Sequence, residues 1–562
     1  MKAGETFFFI LLIASMALIV GCEKKPDYAC EGCNVIIISL DALRADHLPC
    51  YGYSRNTSPN ICELGENGVL FTNAFSNAAS TLSSFSSVFT SQYPSVHNAG
   101  EYSIMLSERK TTLAEILKKE GYSTVAFTGG GFLSSGWNLD QGFDTYESGE
   151  SNESLQDAMA WIDRNGHEKF FLFVHFYKPH SPYASPDDFN ELYADKAYDG
   201  KLKGSPLDDD FMNEVNAGRL NLSAEDISYL NARYDGAIRF IDSYVSQLIS
   251  SLKESGAYNN SLVILMSDHG ENLMNRKGQV GHGDFYDEQV HIPLIAHYPY
   301  PVGSIRSDSL VESVDVMPTI LDIIKLPAGG DADGVFQGIS LLPGMDGAKD
   351  APENKFVFAE KVMRKEGELC SAFFLTFQAV ATRESKYCDR CSFEDRYGCI
   401  SVMTRNASHC QDYLPNARLQ TFCMDFYDYV SKNAKSGISC NQTSDETLMP
   451  ICQSLLLRKS IEETCDISLG QMARPLVITM VRSKDHKLIH GYGDELYGLG
   501  NDPDEKNNLI GTGLQAEINL RSELARFRAW NDNLSDDEDY ILIPGSFEYE
   551  TREKMRSLGY IS

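Results

Sequence analysis

Five apolar runs, at residues 35–40, 124–127, 170–174, 262–266 and 294–296, each end at a polar residue. Short, nearly continuous runs of Val, Ile, Leu and Phe bury both faces of a strand, as a parallel sheet covered by helices requires. Segments of helical period alternate with them. Residues 112–121 open on Thr112, space their apolar residues at i, i+3 and i+4, and close on Gly121. Residues 224–255 carry a longer helical pattern that leads into the 262–266 run. This alternation predicts an α/β fold with a mostly parallel sheet between helices, and ligands at the carboxyl ends of its strands. At 562 residues, 43% of them apolar, core size is no limitation.

The residues after two of these runs carry chemistry. Asp41 follows 35–40, and Ser267-Asp268-His269-Gly270-Glu271 follows 262–266, so two acidic groups and an imidazole should meet at one sheet edge. Either Asp alone reads equally well as a helix cap. With His269 added, the set offers oxygen and imidazole donors suited to a divalent ion such as Zn, Mn, Mg or Ca. Between them in sequence lies the Ser- and Thr-rich segment 80–97. Hydroxyl residues in low-complexity sequence suggest a loop. At a helix start beside a metal, however, the cost of an alkoxide falls and a hydroxyl becomes a competent nucleophile.

The N-terminus reads as a targeting segment. Lys2 precedes an uncharged apolar run at residues 7–20, shorter than the ~20 residues of a spanning helix, and Gly21-Cys22 follows. Ile19-Val20-Gly21-Cys22 resembles the lipobox of prokaryotic lipoproteins. That resemblance implies a signal at 1–21, lipid-modified Cys22 as the first mature residue, and a short tether at 22–32 holding an exported domain at a membrane face. An ordinary cleaved signal is the alternative. Export places the other thirteen of 14 cysteines where disulfides are the default. Nine lie between Cys370 and Cys465, which reads as an inserted subdomain with little core of its own, stapled by disulfides. Cys30-x-x-Cys33 and Cys388-x-x-Cys391 could instead be half zinc sites or redox pairs. A net charge of −30 disfavours nucleic acid and a polybasic membrane-surface mode as partners. It permits an anionic substrate if a metal supplies local positive charge.

In this order and spacing the motifs resemble those of the sulfatase family of the alkaline phosphatase superfamily. The opening Asn34-Val35-Ile36-Ile37-Ile38-Ser39-Leu40-Asp41 and the later Ser267-Asp268-His269-Gly270-Glu271 match its two metal motifs. Thr90-Ser91-Gln92-Tyr93-Pro94-Ser95-Val96-His97 is similar to the segment after its nucleophile. Gly281-His282-Gly283, Tyr286-Asp287-Glu288, His291-Ile292-Pro293 and Val314-Asp315-Val316-Met317-Pro318-Thr319 complete the core, and Glu495-Leu496-Tyr497 fits the tail. The resemblance implies a catalytic domain at 33–348 and a smaller α+β subdomain at 349–562 built on a short antiparallel sheet. The Cys-rich stretch 370–465 would interrupt that subdomain, between strands at 379–386 and 481–488.

The departures from the family pattern bear on the reaction. Thr81 stands where sulfatases carry the Cys or Ser that is oxidised to formylglycine, and the guiding Pro and Arg are Ser83 and Phe85. A Thr side chain lacks the primary carbon that this oxidation needs. Gly129 and Gly131 replace the Lys and His that hold sulfate, and Ala42 replaces the second metal Asp. Asp41, Asp268, His269 and the Thr81 oxygen remain as four ligands for one ion. Lys178 in place of an Asp argues against a second ion, leaving Lys178, His180 and His282 to stabilise oxyanion charge or protonate the leaving oxygen. Arg44 and His97 read as structural. The expected enzyme is a metal-dependent ester hydrolase or transferase acting through Thr81, on phosphate mono- or diesters rather than sulfate esters. A sulfatase working without formylglycine and an anchored binding protein that has lost its chemistry stay open as alternatives.

The anchor is directly testable: Cys22→Ser should leave the chain unlipidated and move it from the detergent to the aqueous phase on partitioning. Unchanged partitioning would remove the anchor from this reading.

Overall fold

The computed structural model describes residues 29–100, 104–276, 278–327, 335–342, 355–363, 476–491, 493–534 and 541–542. Cys22, residues 370–465 and the expected strand at 379–386 lie outside them. No helix among the described residues is long and apolar enough to cross a membrane.

An eight-stranded sheet forms the centre. Its spatial order is Ile305–Glu312, Gly68–Phe75, His291–His297, Ser261–Met266, Asn34–Leu40, Phe170–Phe176, Ser123–Thr128 and Thr145–Ser148. The first strand shows why both faces are covered. Val35 and Ile37 enter one apolar cluster, with Leu82, Phe85 and Val88 of the helix Thr81–Thr90. Ile36, Ile38 and Leu40 enter the opposite cluster, against Ile238, Ile241 and Val245 of the 31-residue helix Ala224–Glu254. The helix Leu113–Lys119 begins as its sequence predicts, with a reciprocal Thr112 and Glu115 capping box.

One expectation is corrected. The run at 294–296 lies in the strand His291–His297, which is antiparallel to both its neighbours. An apolar run reports burial on two faces, and this strand is flanked on both sides whatever its direction. The strands Gly68–Phe75, Thr145–Ser148 and Ile305–Glu312 were not legible as apolar runs, since polar residues such as Thr72, Asn73 and Asp308 interrupt them.

C-terminally, Val357–Met363, Leu476–Arg482, His486–His490 and Glu495–Gly498 form an antiparallel sheet covered by the helix Gln515–Asp532. The expected single strand at 481–488 is a hairpin, turning at Ser483-Lys484-Asp485. Buried polar groups tie this sheet to the core. Glu312 Oε1 accepts from Phe358 N at 2.6 Å, and Asn77 O accepts from Glu360 N at 2.8 Å. Lys487, fully buried, donates to Phe285 O and pairs with Glu505 at 2.6 Å and Asp287 at 2.5 Å. Cys30 pairs with Cys33 and Cys50 with Cys62, so Cys30-x-x-Cys33 is a disulfide rather than half a zinc site.

Burial pushes the Glu360 carboxyl up to about 7, although Ser95 N–H donates to it. A raised folded-state value favours folding while the group is protonated, and that contribution is lost as pH rises from the ordinary carboxylate range through about 7. Glu360→Gln, which mimics the protonated form, should therefore be near neutral at pH 4. At pH 8 it should raise stability over the parent by roughly 1–3 kcal/mol in denaturant titrations.

Candidate active site

The strands Asn34–Leu40 and Ser261–Met266 run parallel in register, Ser39 opposite Met266, and deliver Asp41 and Asp268 side by side. Ser267 cross-ties the two loops, donating from Oγ to Leu40 O at 2.7 Å and accepting from Leu43 N at 2.9 Å. Asp268 Oδ1 accepts from Ala42 N and His269 N, which leaves Oδ2 unpartnered. Both oxygens of Asp41 are also buried without a hydrogen-bond donor. His269 Nδ1 donates to Gly270 O at 2.9 Å, so its Nε2 lone pair faces Asp268 Oδ2 at 3.5 Å and Asp41 Oδ1 at 3.6 Å. Donor atoms of all three residues fall within 4.8 Å of one another. Burial first, then Asp268 and Glu271, push the Asp41 carboxyl well above its usual range. Orphaned carboxylate oxygens converging with an imidazole lone pair fit a divalent cation, which would replace their missing partners.

Thr81 opens the helix Thr81–Thr90, with Ser80 as its N-cap residue. Its Oγ1 lies 3.4 Å from His269 Nε2. Ser84, one turn later, donates to Asp268 O at 2.9 Å and fixes the helix to the carboxylate loop. The His282 ring stacks on His269 with centroids 4.1 Å apart, and its Nδ1 donates to Ala79 O at 2.9 Å. His180 Nδ1 donates to Ser181 O, and the Nε2 atoms of His180 and His282 meet at 3.2 Å. With each Nδ1 proton committed to a carbonyl, that contact is a hydrogen bond only when one further proton is shared.

The fold thus gathers Asp41, Thr81, His180, Asp268, His269 and His282. Lys178 points elsewhere: its Nζ donates to Pro182 O, and burial, then Arg233, lowers it to about 8. Arg44 binds Asp46, Glu271 O and Asn275, while His97 is held by Ser87 and Ala99 N, so both brace loops. Two neighbours escaped the sequence reading. His175 accepts from Gly129 N at Nδ1 and faces Asp41 Oδ2 at 3.4 Å with Nε2. Glu271 is fully buried, and burial pushes it up to about 7. Their signal was position: His175 directly follows the apolar run 170–174, and Glu271 lies inside the second carboxylate motif. The Gly129 position is tightly packed: an added Cβ would lie 3.0 Å from Tyr177 N and Cβ and 3.2 Å from His175 Nδ1.

The sulfatase family profile matches residues 33–326. The chain belongs to the sulfatase family. This makes it an ester-hydrolysing enzyme of the alkaline phosphatase-like superfamily. It is similar to the multifunctional alkaline phosphatase superfamily protein PehA of Trinickia caryophylli, at 23% identity over 55% of this chain and 76% of that one. It is equally similar to the Delta 4,5-hexuronate-2-O-sulfatase of Bacteroides thetaiotaomicron, at 23% over 60% and 75%. The fold matches the phosphonate monoester hydrolase of Agrobacterium radiobacter with a TM-score of 0.59 and 18% identity, over 89% of this chain and 96% of that one. Sulfatase-family enzymes depend on a metal, and Asp41, Asp268 and His269 are the group here that could hold one.

A divalent cation at a hundred times its Kd should raise the unfolding free energy by about 2.7 kcal/mol. Thermal unfolding with and without Zn, Mn, Mg and Ca checks this, and Asp268→Asn should abolish the shift.

Proposed function

We propose that this sulfatase-family hydrolase uses Thr81 as its nucleophile and takes phosphate mono- or diesters in preference to sulfate esters. The observation that carries this reading is the Thr81 hydroxyl at a helix start, 3.4 Å from His269 Nε2 within the carboxylate cluster. The tight packing at Gly129 supports it, because a sulfate-holding lysine there would need Tyr177 and His175 to give way.

When bound at Asp41, Asp268 and His269, a single divalent ion would supply positive charge that lowers the cost of a Thr81 alkoxide and of charge on the phosphoryl oxygens. Thr81 Oγ1 gives up its proton to solvent and bonds to phosphorus as the P–O bond to the departing alcohol breaks. Once a further proton is taken up between the Nε2 atoms of His180 and His282, that proton passes to the alcohol oxygen. Water, or an acceptor alcohol, then attacks the phosphorus of the Thr81 ester and returns a proton to the histidine pair, as the P–O bond to Thr81 breaks and Thr81 Oγ1 takes a proton back from solvent. His282 is kept in line by its bond to Ala79 O, two residues before the nucleophile. Lys178 acts through the 178–182 loop, which carries His180. The likeness to PehA, a protein described as multifunctional, supports more than one anionic ester as substrate. The exported, Cys22-anchored location belongs to the same proposal and rests on the lipobox alone.

Thr81→Ser should keep measurable turnover, whereas Thr81→Ala should lose on the order of 10³-fold or more in kcat/KM. The measurement is hydrolysis of matched aryl phosphate, phosphodiester and sulfate esters by the metal-loaded protein. Sulfate turnover above that of every phosphate ester would favour a sulfatase working without formylglycine. Metal binding with no turnover of any ester would favour a binding protein.

A further inference from the structure

Beside the helix start that bears Thr81, a small pocket is lined by Ser80, Ser83, Gly283, Glu360 and Lys361. Its wall is shared between two parts of the chain. Ser80 and Ser83 flank the nucleophile, Gly283 follows His282, and Lys361 comes from the C-terminal strand Val357–Met363. Lys361 Nζ lies 3.6 Å from where a Cβ at Gly283 would stand. Gly283 has φ +119°, so its backbone turns in the region that favours glycine and leaves this space open.

The ammonium of Lys361 has no hydrogen-bonding or ionic partner among the described residues. Its half-buried ammonium therefore stands in this pocket open to an anionic partner from outside the described residues. The neighbouring Glu360 does not serve: its carboxylate accepts from Ser95 N. The sulfate-holding cations expected near the nucleophile are replaced by Gly129 and Gly131, so the anionic substrate has lost contacts on that side. Lys361 supplies a cation on another.

We propose that Lys361 binds a second anionic group on the substrate, carried by the alcohol portion beyond the reacting ester, and so sets the preference for doubly anionic esters. The proposal rests on the phosphoryl reading above and deepens it. It assigns no bond-making step to Lys361, which is a specificity residue held by the C-terminal sheet. An ammonium at a half-buried site beside a helix start attracts such a group more strongly than one in bulk water.

The test needs no turnover, so its failure is separable from a failure of the Thr81 mechanism. Phenylphosphonate and 4-carboxyphenylphosphonate, neither of which has an ester bond to cleave, are titrated calorimetrically into the metal-loaded full chain. The parent should bind the carboxylated probe about 10-fold more tightly. Lys361→Met should erase that difference while leaving phenylphosphonate affinity and the thermal unfolding midpoint unchanged, and Lys361→Arg should restore it. A preference that survives Lys361→Met, equal weakening of both probes, or no binding of either would overturn the proposal. In a separate kinetic series, an aryl phosphodiester with a ring carboxylate should show a KM rise of about 10-fold in Lys361→Met at unchanged kcat, compared with its ring methyl ester. A fall in kcat for both esters would mark a structural role instead.

Discussion

Asp41 and Asp268 stand fully buried at the ends of adjacent parallel strands, with donor oxygens within 4.8 Å and, among the described residues, no ammonium or guanidinium paired with them. Two like charges at that separation repel by roughly 3–4 kcal/mol at an effective dielectric near 20, before the larger cost of leaving water. The surrounding structure is arranged around that cost. Backbone N–H groups of Ala42 and His269 quiet one oxygen of Asp268, and Ser267 clamps the two loops. The Gly270 carbonyl turns the His269 lone pair inward, and Ser84 brings the Thr81 helix onto the same loop. What remains uncompensated is aimed at one point. A cation there converts an electrostatic penalty into the attraction that organises the catalytic edge.

Much of this edge could be read from the chain because burial of a strand and the polar residue that ends it are adjacent in sequence. Asp41, Asp268 and His269 were legible for that reason, as were the Thr112 cap and the Ala224–Glu254 helix. Strand direction was not: the 294–296 run reads like the runs of the parallel strands, and only the two pairings of His291–His297 reveal that it runs the other way. Lys178 shows a different limit. Its proximity in sequence to His180 suggested a role at the reacting atoms, but a carbonyl four residues on captures its Nζ. Contacts across long sequence separations, such as Lys361 against Gly283, leave no periodic signal.

A second set of buried charges joins the two sheets. Lys487, Asp287, Glu505, Arg276, Glu288 and Arg482 form a continuous ionic network, with Asp287 and Glu288 only a few residues after His282. Breaking one member would strand the others as uncompensated charges, a cost of several kcal/mol. The C-terminal sheet is therefore not an appendage to the catalytic core. It fixes the far end of the loop that carries His282 and brings Lys361 to the pocket.

The pairing of Val357–Met363 with Leu476–Arg482 sets Met363 directly opposite Leu476. Antiparallel partners stand about 5 Å apart. The chain therefore leaves this sheet at Met363 and rejoins it at Leu476 as direct neighbours, at the spacing an ordinary hairpin turn bridges. Closure entropy grows only logarithmically with loop length, by about 0.6 kcal/mol per doubling. Between these two positions the length of the connecting chain therefore weighs little on the stability of the sheet, and the catalytic edge is insulated from it.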